Sequence, residues 1–489
     1  MHIVKQVALI AVLPAFVGGM ALAAENSVPR PSIVPVPVKM ELGQDVLLPT
    51  EAMRIVTPDA SLAPLASILA HEMGAVIGIR PTVEMNGIAK PGDVELALTR
   101  GGKEEAYRLT VGETVKIEAR THQGMAYGTM TLLQAYCERP IAGRFRQYEW
   151  VLPHLSIEDE ASKPFRGVLI DVARRYNSPR ALKLVIQLAR YYKIRYITLH
   201  LNDDQGWTFP LKSYPKAGSS NQGFRGPRPR LYTMGELREL VAFADQRGVT
   251  LIPGIEFPAH CNSIRRVHGE DFNGYEEGKP LGLADMANPR IYPAIQRIYG
   301  EVSELLASSP YIHIGCDEAN ISLNKRDTEH YKKFMADRNL ENVHELFHYF
   351  AAQLAGYAKE NGKAAIFWAD GLKTWDHELP RKLPKDMIAM DWRSRYKNTV
   401  KVFLQSHMGE IHFLPTLPDA WPDGSVTGLR ARGGFEVDIT WEGGKTTGAI
   451  IRSRVKRSCT VRYGDNTVSL KTQRGGSHRL DRELREQSM

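Results

Sequence analysis

Residues 311–318 read Tyr-Ile-His-Ile-Gly-Cys-Asp-Glu, a short β-rich run that ends abruptly in two adjacent carboxylates, Asp317 and Glu318. In a chain that alternates strands with helices, a strand finishing in acids points to a barrel whose chemistry sits at its strand ends. Neighbouring acids can divide their work there, one staying ionised while the other carries a proton. A solvated strand terminus or a helix N-cap would use the same residues, so the surrounding segments decide.

Those segments repeat one pattern. Gly167–Asp171 reads as a buried strand ending in an acid, and Ser178 then caps a helix with Pro179 at its first position. Leu182, Val185, Ile186 and Ala189 share the apolar face of that helix. Tyr196–His200 is the next strand, leading to Asp203 and Asp204. Thr233 and Glu236 form a capping box for a helix that stops at Gly248. Thr250–Ile255, Tyr311–Gly315, Ala364–Trp368 and Met387–Trp392 read as further strands. Six such repeats, with polar residues at the strand C-termini, favour an α/β fold of the (β/α) TIM-barrel type over a doubly wound sheet. No glycine-rich dinucleotide or phosphate-binding fingerprint is present.

The flanks read differently. Lys5 precedes an apolar run from Val7 to Met20 and a small-residue stretch at Ala21–Ala24, the pattern of a signal peptide over residues 1–24 cut near Ala23 or Ala24. The expected location is periplasmic or secreted, and no other long apolar segment suggests a membrane partner. Residues 25–155 alternate short β runs with helices near Leu62–Met73 and after Gly124, a small α+β domain. Residues 160–400 hold the barrel. Residues 401–489 hold turn signals between short strands at Phe435–Trp441, Ala449–Ser453 and Cys459–Tyr463, a β-rich module whose last residues, Arg479 to Met489, are expected to fray.

At 489 residues, 43% hydrophobic and 24% charged, the chain can bury several cores. Its net charge of +8 is scattered, which argues against a nucleic-acid partner. Cys137, Cys261, Cys316 and Cys459 are far apart and read as free thiols, although export would permit disulfides.

If the barrel forms, its strand ends gather Arg174, His200, Asp203, Asp204, Trp207, His260, Asp317, Glu318, Trp368, Asp370 and Trp392. Acids, imidazole, guanidinium and indoles together suit a carbohydrate: aromatic faces stack on a pyranose, and Arg or Asp grips its hydroxyls. Hydrolysis of a glycoside needs a proton donor and stabilisation of an oxocarbenium-like centre. Asp204 and Trp207 can equally be structural, His200 reads better as a packed strand-end residue, and Asp370 as a loop residue. A metal-dependent hydrolase using His200, Asp203, His260 and Asp317 is a weaker reading, and no metal or cofactor is expected.

Four ordered segments, Phe165–Arg174, Leu199–Trp207, Ile252–His260 and His313–Glu318, resemble glycoside hydrolase family 20, the β-N-acetylhexosaminidases. The resemblance runs from about residue 30 to 395. It implies an exo-acting enzyme that removes terminal β-linked N-acetylglucosamine or N-acetylgalactosamine with the acetamido oxygen as nucleophile. By the same resemblance Glu318 is the acid and base and Asp317 the acetamido stabiliser. Asp203 and His260 tune Glu318, Arg174 holds outer hydroxyls with Asp204 beside it, and Trp368 and Trp392 wall the acetamido subsite. Ala259 and Cys316 stand where that family usually has glycine, and both are small enough to be tolerated. Beyond Trp392 the last two barrel strands of that family are not recognisable. Instead Phe403–Val437 resembles the C-terminal β region of family 95 α-L-fucosidases. A six-stranded barrel leaves edges for the C-terminal module or a second chain, as in a homodimer, to cover. A sugar-binding remnant without turnover is the alternative function.

Overall fold

The computed structural model describes residues 28–487 apart from 142–146, 223–227, 274, 277–278, 281–282, 320–328, 370–382, 391–403, 408–409, 415–416, 418–421, 432 and 455. The leader, Asp370 and Trp392 therefore lie outside the described residues. The chain divides into two compact units at residues 391 and 392.

In the first unit, the N-terminal strands form one mixed sheet whose long member, Tyr148–Asp159, pairs with Lys39–Leu47 and with Tyr107–Val111. Helices Ala63–Ile77 and His122–Ala135 cover it. The stretch Ala60–Ile77 is long and apolar enough to cross a membrane, yet Leu62, Leu65, Leu69 and Met73 are fully buried in this domain's core. Thr121 starts the second helix by accepting the Gly124 N–H, as an N-cap does. Arg190, on the first barrel helix, reaches back to Glu72 at 2.9 Å, and Lys193 reaches Asp159 at 2.9 Å, so the small domain is fastened to the barrel by buried ion pairs.

The barrel segment is a six-stranded parallel sheet in chain order: Gly167–Asp171, Tyr196–His200, Thr250–Phe257, Tyr311–Gly315, Ala364–Trp368 and Ile388–Met390. Helices Pro179–Tyr191, Met234–Asp245, Ile291–Leu305 and Val343–Glu360 pack outside it. Ser178 accepts the Ala181 N–H with Pro179 behind it, and Thr233 with Glu236 makes a full capping box, so the sequence signals set both helix starts. Among the described residues the sheet is an open path, an incomplete TIM barrel with flanking domains.

Side chains alternate across each strand, and this alternation builds the site. Ile197, Leu199, Leu251, Ile255, Ile312, Ile314 and Phe367 turn outward into the helix layer. The intervening residues face inward. Nearest the strand starts they are apolar: Tyr196, Ile252 and Ile366 pack with Phe165, Tyr311, Ile388 and Met390. Towards the strand ends the inner face becomes His200, Glu256 and His313, all buried, with Trp368 beside them. A dry base thus carries a layer of charge directly under the loops.

Two expectations are corrected here. Gly167–Asp171 is not a buried strand, because it lies at the open edge of the sheet with Val168 and Leu169 each 37% exposed. Nor does the C-terminus fray from Arg479. In the second unit, Ser477–Asp481 pairs with Lys445–Ser453, and Leu480 and Leu484 enter the core of a β module with Val437, Ile439, Trp441 and Ile451. A buried leucine every few residues outweighs the charge around it. That module has a five-stranded sheet containing Gly424–Ala431, Phe435–Glu442 and Lys445–Ser453, and a four-stranded one containing Glu410–Phe413 and Ser458–Tyr463.

Candidate active site

The first strand ends at Asp171, whose carboxylate accepts the backbone N–H groups of Ala173 and Arg174 at 3.0 and 2.8 Å. That turn aims the Arg174 guanidinium across the sheet: one Nη donates to Asp171 at 3.0 Å and the other meets Asp203 Oδ2 at 2.6 Å. Asp203 follows the second strand and is almost fully buried. It also meets His200 Nε2 at 2.8 Å and His260 Nδ1 at 3.4 Å. Burial disfavours its charge, but His200 and His260 outweigh that and hold its carboxyl well below the usual range.

His260 stands after the third strand. Asn202 fixes this turn by donating to the carbonyls of Glu256 and His260 at 3.1 and 3.2 Å and accepting the Glu256 N–H at 2.8 Å. His260 Nε2 then lies 3.3 Å from Glu318 Oε2 and 3.6 Å from Asp317 Oδ2. Burial opposes a charge on this ring, yet the Asp203 contact and the charges of Asp317, Asp203 and Glu256 raise its pKa to about 9. It is therefore an imidazolium at neutral pH, placed between a buried carboxylate and the acid pair.

The acid pair sits on a contorted turn. Gly315, Cys316 and Glu318 have φ of 81°, 77° and 47°, and His260 opposite has 51°. Non-glycine residues pay of order 1 kcal/mol or more for this left-handed conformation, and such strain concentrates at functional sites. Cys316 occupies here a backbone conformation that glycine adopts freely. The Glu318 side chain is 45% exposed and Asp317 17%, so one acid faces incoming material and the other stands recessed.

The sequence-derived set is thus largely brought together: Arg174, Asp203, His260, Asp317 and Glu318 form one connected network. Trp368 ends the fifth strand with its ring 4.5 Å from that of His313. The Asp204 carboxylate accepts the Asn262 N–H at 3.2 Å and so braces the turn carrying His260. Trp207 is fully buried and donates to the Phe209 carbonyl at 2.6 Å, a core residue. Asp370 and Trp392 are outside the described residues. His200 is a buried strand-end histidine as read, but it is salt-bridged to two carboxylates rather than packed in apolar surroundings. Asp171, Glu256 and His313 were missed as members of the network. The signal was available for Glu256 and His313, ionisable residues at inward positions of otherwise apolar strands.

Among the described residues, Asp203, Asp204 and His260 are grouped closely enough to hold a metal. Arg174 already lies against Asp203, and its guanidinium would repel a cation there. The sequence also carries one His-Glu-x-x-His run, His344 to His348, a spacing that can bind zinc on a helix. It lies in the opening turns of helix Val343–Glu360, where Glu345 accepts the Glu341 N–H, and no third donor joins it among the described residues. Cys137, Cys261 and Cys459 are free thiols, and Cys261, Cys316 and Cys459 are buried.

Residues 164–412 match the model of the glycosyl hydrolase family 20 catalytic domain, and residues 30–160 match that family's domain 2. The chain belongs to glycosyl hydrolase family 20. Residues 405–488 match the C-terminal domain of glycoside hydrolase family 95. Among its relatives, a beta-hexosaminidase of Porphyromonas gingivalis is 27% identical over 380 residues, 74% of this chain and 47% of that protein. A beta-N-acetylhexosaminidase of Cellulomonas fimi is 30% identical over 311 residues, 59% of this chain and 60% of that protein. The chain spans about half the length of the curated relatives it matches. The crystal structure of a family 20 exo beta-N-acetylglucosaminidase from Vibrio harveyi with N-acetylglucosamine superposes with a TM-score of 0.63 at 23% identity, covering 76% of this chain and 59% of that one. That likeness shows the fold.

Proposed function

We propose that this protein is an exo-acting β-N-acetylhexosaminidase working by substrate-assisted retention on terminal β-linked N-acetylglucosamine or N-acetylgalactosamine. The observation that carries the reading is the single contact chain Asp203–His260–Glu318, with Asp317 on the same imidazole. Glu318, the more exposed acid, donates a proton to the glycosidic oxygen as the bond to the anomeric carbon breaks. The acetamido carbonyl oxygen of the substrate attacks that carbon from the opposite face, giving a cyclic oxazolinium ion. Recessed Asp317 supplies the counter-charge on its nitrogen, an electrostatic role that needs no covalent bond to the protein. Glu318, now ionised, takes a proton from the water that opens the ring. Throughout, His260 remains charged beside Glu318, and Asp203 with Arg174 holds it in place.

Turnover of a chromogenic N-acetyl-β-glucosaminide tests this. The expected result is hydrolysis that falls by at least roughly a hundredfold in Glu318→Gln, the scale of a lost general acid. Undiminished hydrolysis in that variant would overturn the assignment. Among the described residues the six-stranded path is open, which favours a second reading, sugar binding without turnover. It predicts calorimetric binding of N-acetylglucosamine, weakened in Arg174→Ala, by folded protein that hydrolyses nothing.

A further inference from the structure

Beneath the acid pair lies a second charged layer that the hydrolytic steps leave unused. Glu256, from the third strand, is fully buried, as are His200 on the second strand and His313 on the fourth. His200 presents Nε2 to Asp203 at 2.8 Å and Nδ1 to Glu256 at 3.2 Å. A neutral imidazole has one N–H, so either tautomer would turn a lone pair on one of these carboxylates. With both carboxylates ionised, both contacts are attractive only when the ring carries two protons. His313 differs: its Nδ1 accepts the Gly315 N–H at 3.2 Å, which leaves that nitrogen unprotonated and the ring neutral. His200 is thus the cation beside Glu256, and the neutral His313 ring presents Nδ1 to it at 3.6 Å.

Glu256 also touches the backbone that carries the catalytic pair. A Cβ built on Gly315 would lie 2.2 Å from Glu256 Oε2 and 2.9 Å from its Cα, so the carboxylate is packed against the turn into Asp317 and Glu318. One buried side chain therefore bears on both ends of the network.

We propose that Glu256 is a positioning residue of this site: it holds His200 as a buried imidazolium, and through it keeps Asp203 and His260 aligned beneath Glu318. This rests on the hydrolytic reading above for its catalytic consequence, but not for the state of His200. The groups facing His200 are Asp203 and Glu256 directly, with Arg174 and Asp171 behind Asp203, His260 beyond it and His313 across Glu256. The charge of Glu256 also reaches the buried Tyr299 hydroxyl on helix Ile291–Leu305, whose pKa burial and that charge raise. Burial opposes the His200 charge, yet Asp203 and Glu256 outweigh it and raise the pKa to about 10. Glu256 itself is held below the ordinary carboxylate range despite burial, chiefly by His200.

The test uses the full chain with nitrogen-15-labelled histidine, followed by NMR from pH 6 to 11, with His200→Gln identifying the signal. In wild-type protein the His200 ring stays doubly protonated at pH 8, whereas a neutral ring at pH 7 overturns the proposal. In Glu256→Gln that proton is lost at least about one pH unit lower, and kcat for the chromogenic glycoside falls over the same pH interval while KM moves little. Glu256→Asp, which keeps the charge, restores both the titration and the pH profile. A merely structural role would lower activity equally at every pH, and that result, or an unshifted profile in folded Glu256→Gln, overturns the proposal. If Glu256→Gln does not fold, the wild-type and Glu256→Asp titrations decide. If no variant hydrolyses the glycoside, the hydrolytic reading fails while the histidine titration still decides the Glu256–His200 pairing.

Discussion

Gly315 shows how much of this site is fixed by single atoms. It has φ of 81° and its missing side chain is the space into which Glu256 packs. Gly315→Ala meets both objections at once, a left-handed backbone and an overlap with a buried carboxylate. The expected cost is about 2–4 kcal/mol of stability in the unit of residues 25–391, from strain and forced displacement together. Denaturant titration followed at the barrel tryptophans measures it, and a change below about 0.5 kcal/mol would show that the turn relaxes freely. At this scale the sequence was informative about chemistry and less so about wiring. Strand-end acids and bases marked Asp317, Glu318, His260, Asp203 and Arg174 as candidates, and the resemblance of four ordered segments to family 20 singled them out and gave them roles. Asp204 reads equally as structural or ligand-binding, since a carboxylate bracing the Asn262 N–H looks identical in sequence to one awaiting a ligand. Glu256 and His313 were passed over because a barrel interior is expected to be apolar, and here its upper layer is ionic.

Elements were legible where a local signal coincided with burial. The capping box at Thr233 and Glu236, and Ser178 followed by Pro179, place their helices because the cap satisfies backbone groups nothing else reaches. The six barrel strands were legible from short apolar runs. What such runs cannot reveal is where a strand stands in its sheet. Gly167–Asp171 has the composition of a central strand and occupies an edge. The reverse error occurred at the C-terminus, where Ser477–Asp481 is polar in composition and still adds to a sheet, because only Leu480 of that strand must reach the core. Pairing partners lie far off in sequence, and local composition carries no information about them.

At the scale of the molecule, two buried imidazolium rings make folding depend on pH in a definite direction. His200 and His260 have pKa values near 10 and 9 in the folded state, raised above an ordinary value of about 6.5. Groups raised in this way stabilise fully below their unfolded pKa, and that stabilisation is lost as pH climbs towards the folded values. Between pH 7 and 8.5 the folded chain retains two protons that the unfolded chain has shed. Stability of residues 25–391 should therefore fall by roughly 2–3 kcal/mol per pH unit across that window. Urea denaturation read at the histidine NMR signals checks this, and a level profile would contradict the charged state of both rings.

The central claim is that the substrate supplies its own nucleophile and the protein only a proton, a counter-charge and their alignment. Replacing the acetamido group of a chromogenic N-acetyl-β-glucosaminide by trifluoroacetamido leaves the leaving group unchanged and weakens the attacking carbonyl oxygen. Comparing kcat/KM for the two glycosides reads that step directly. The account predicts a steep loss with the fluorinated substrate, and equal rates for the two would contradict it.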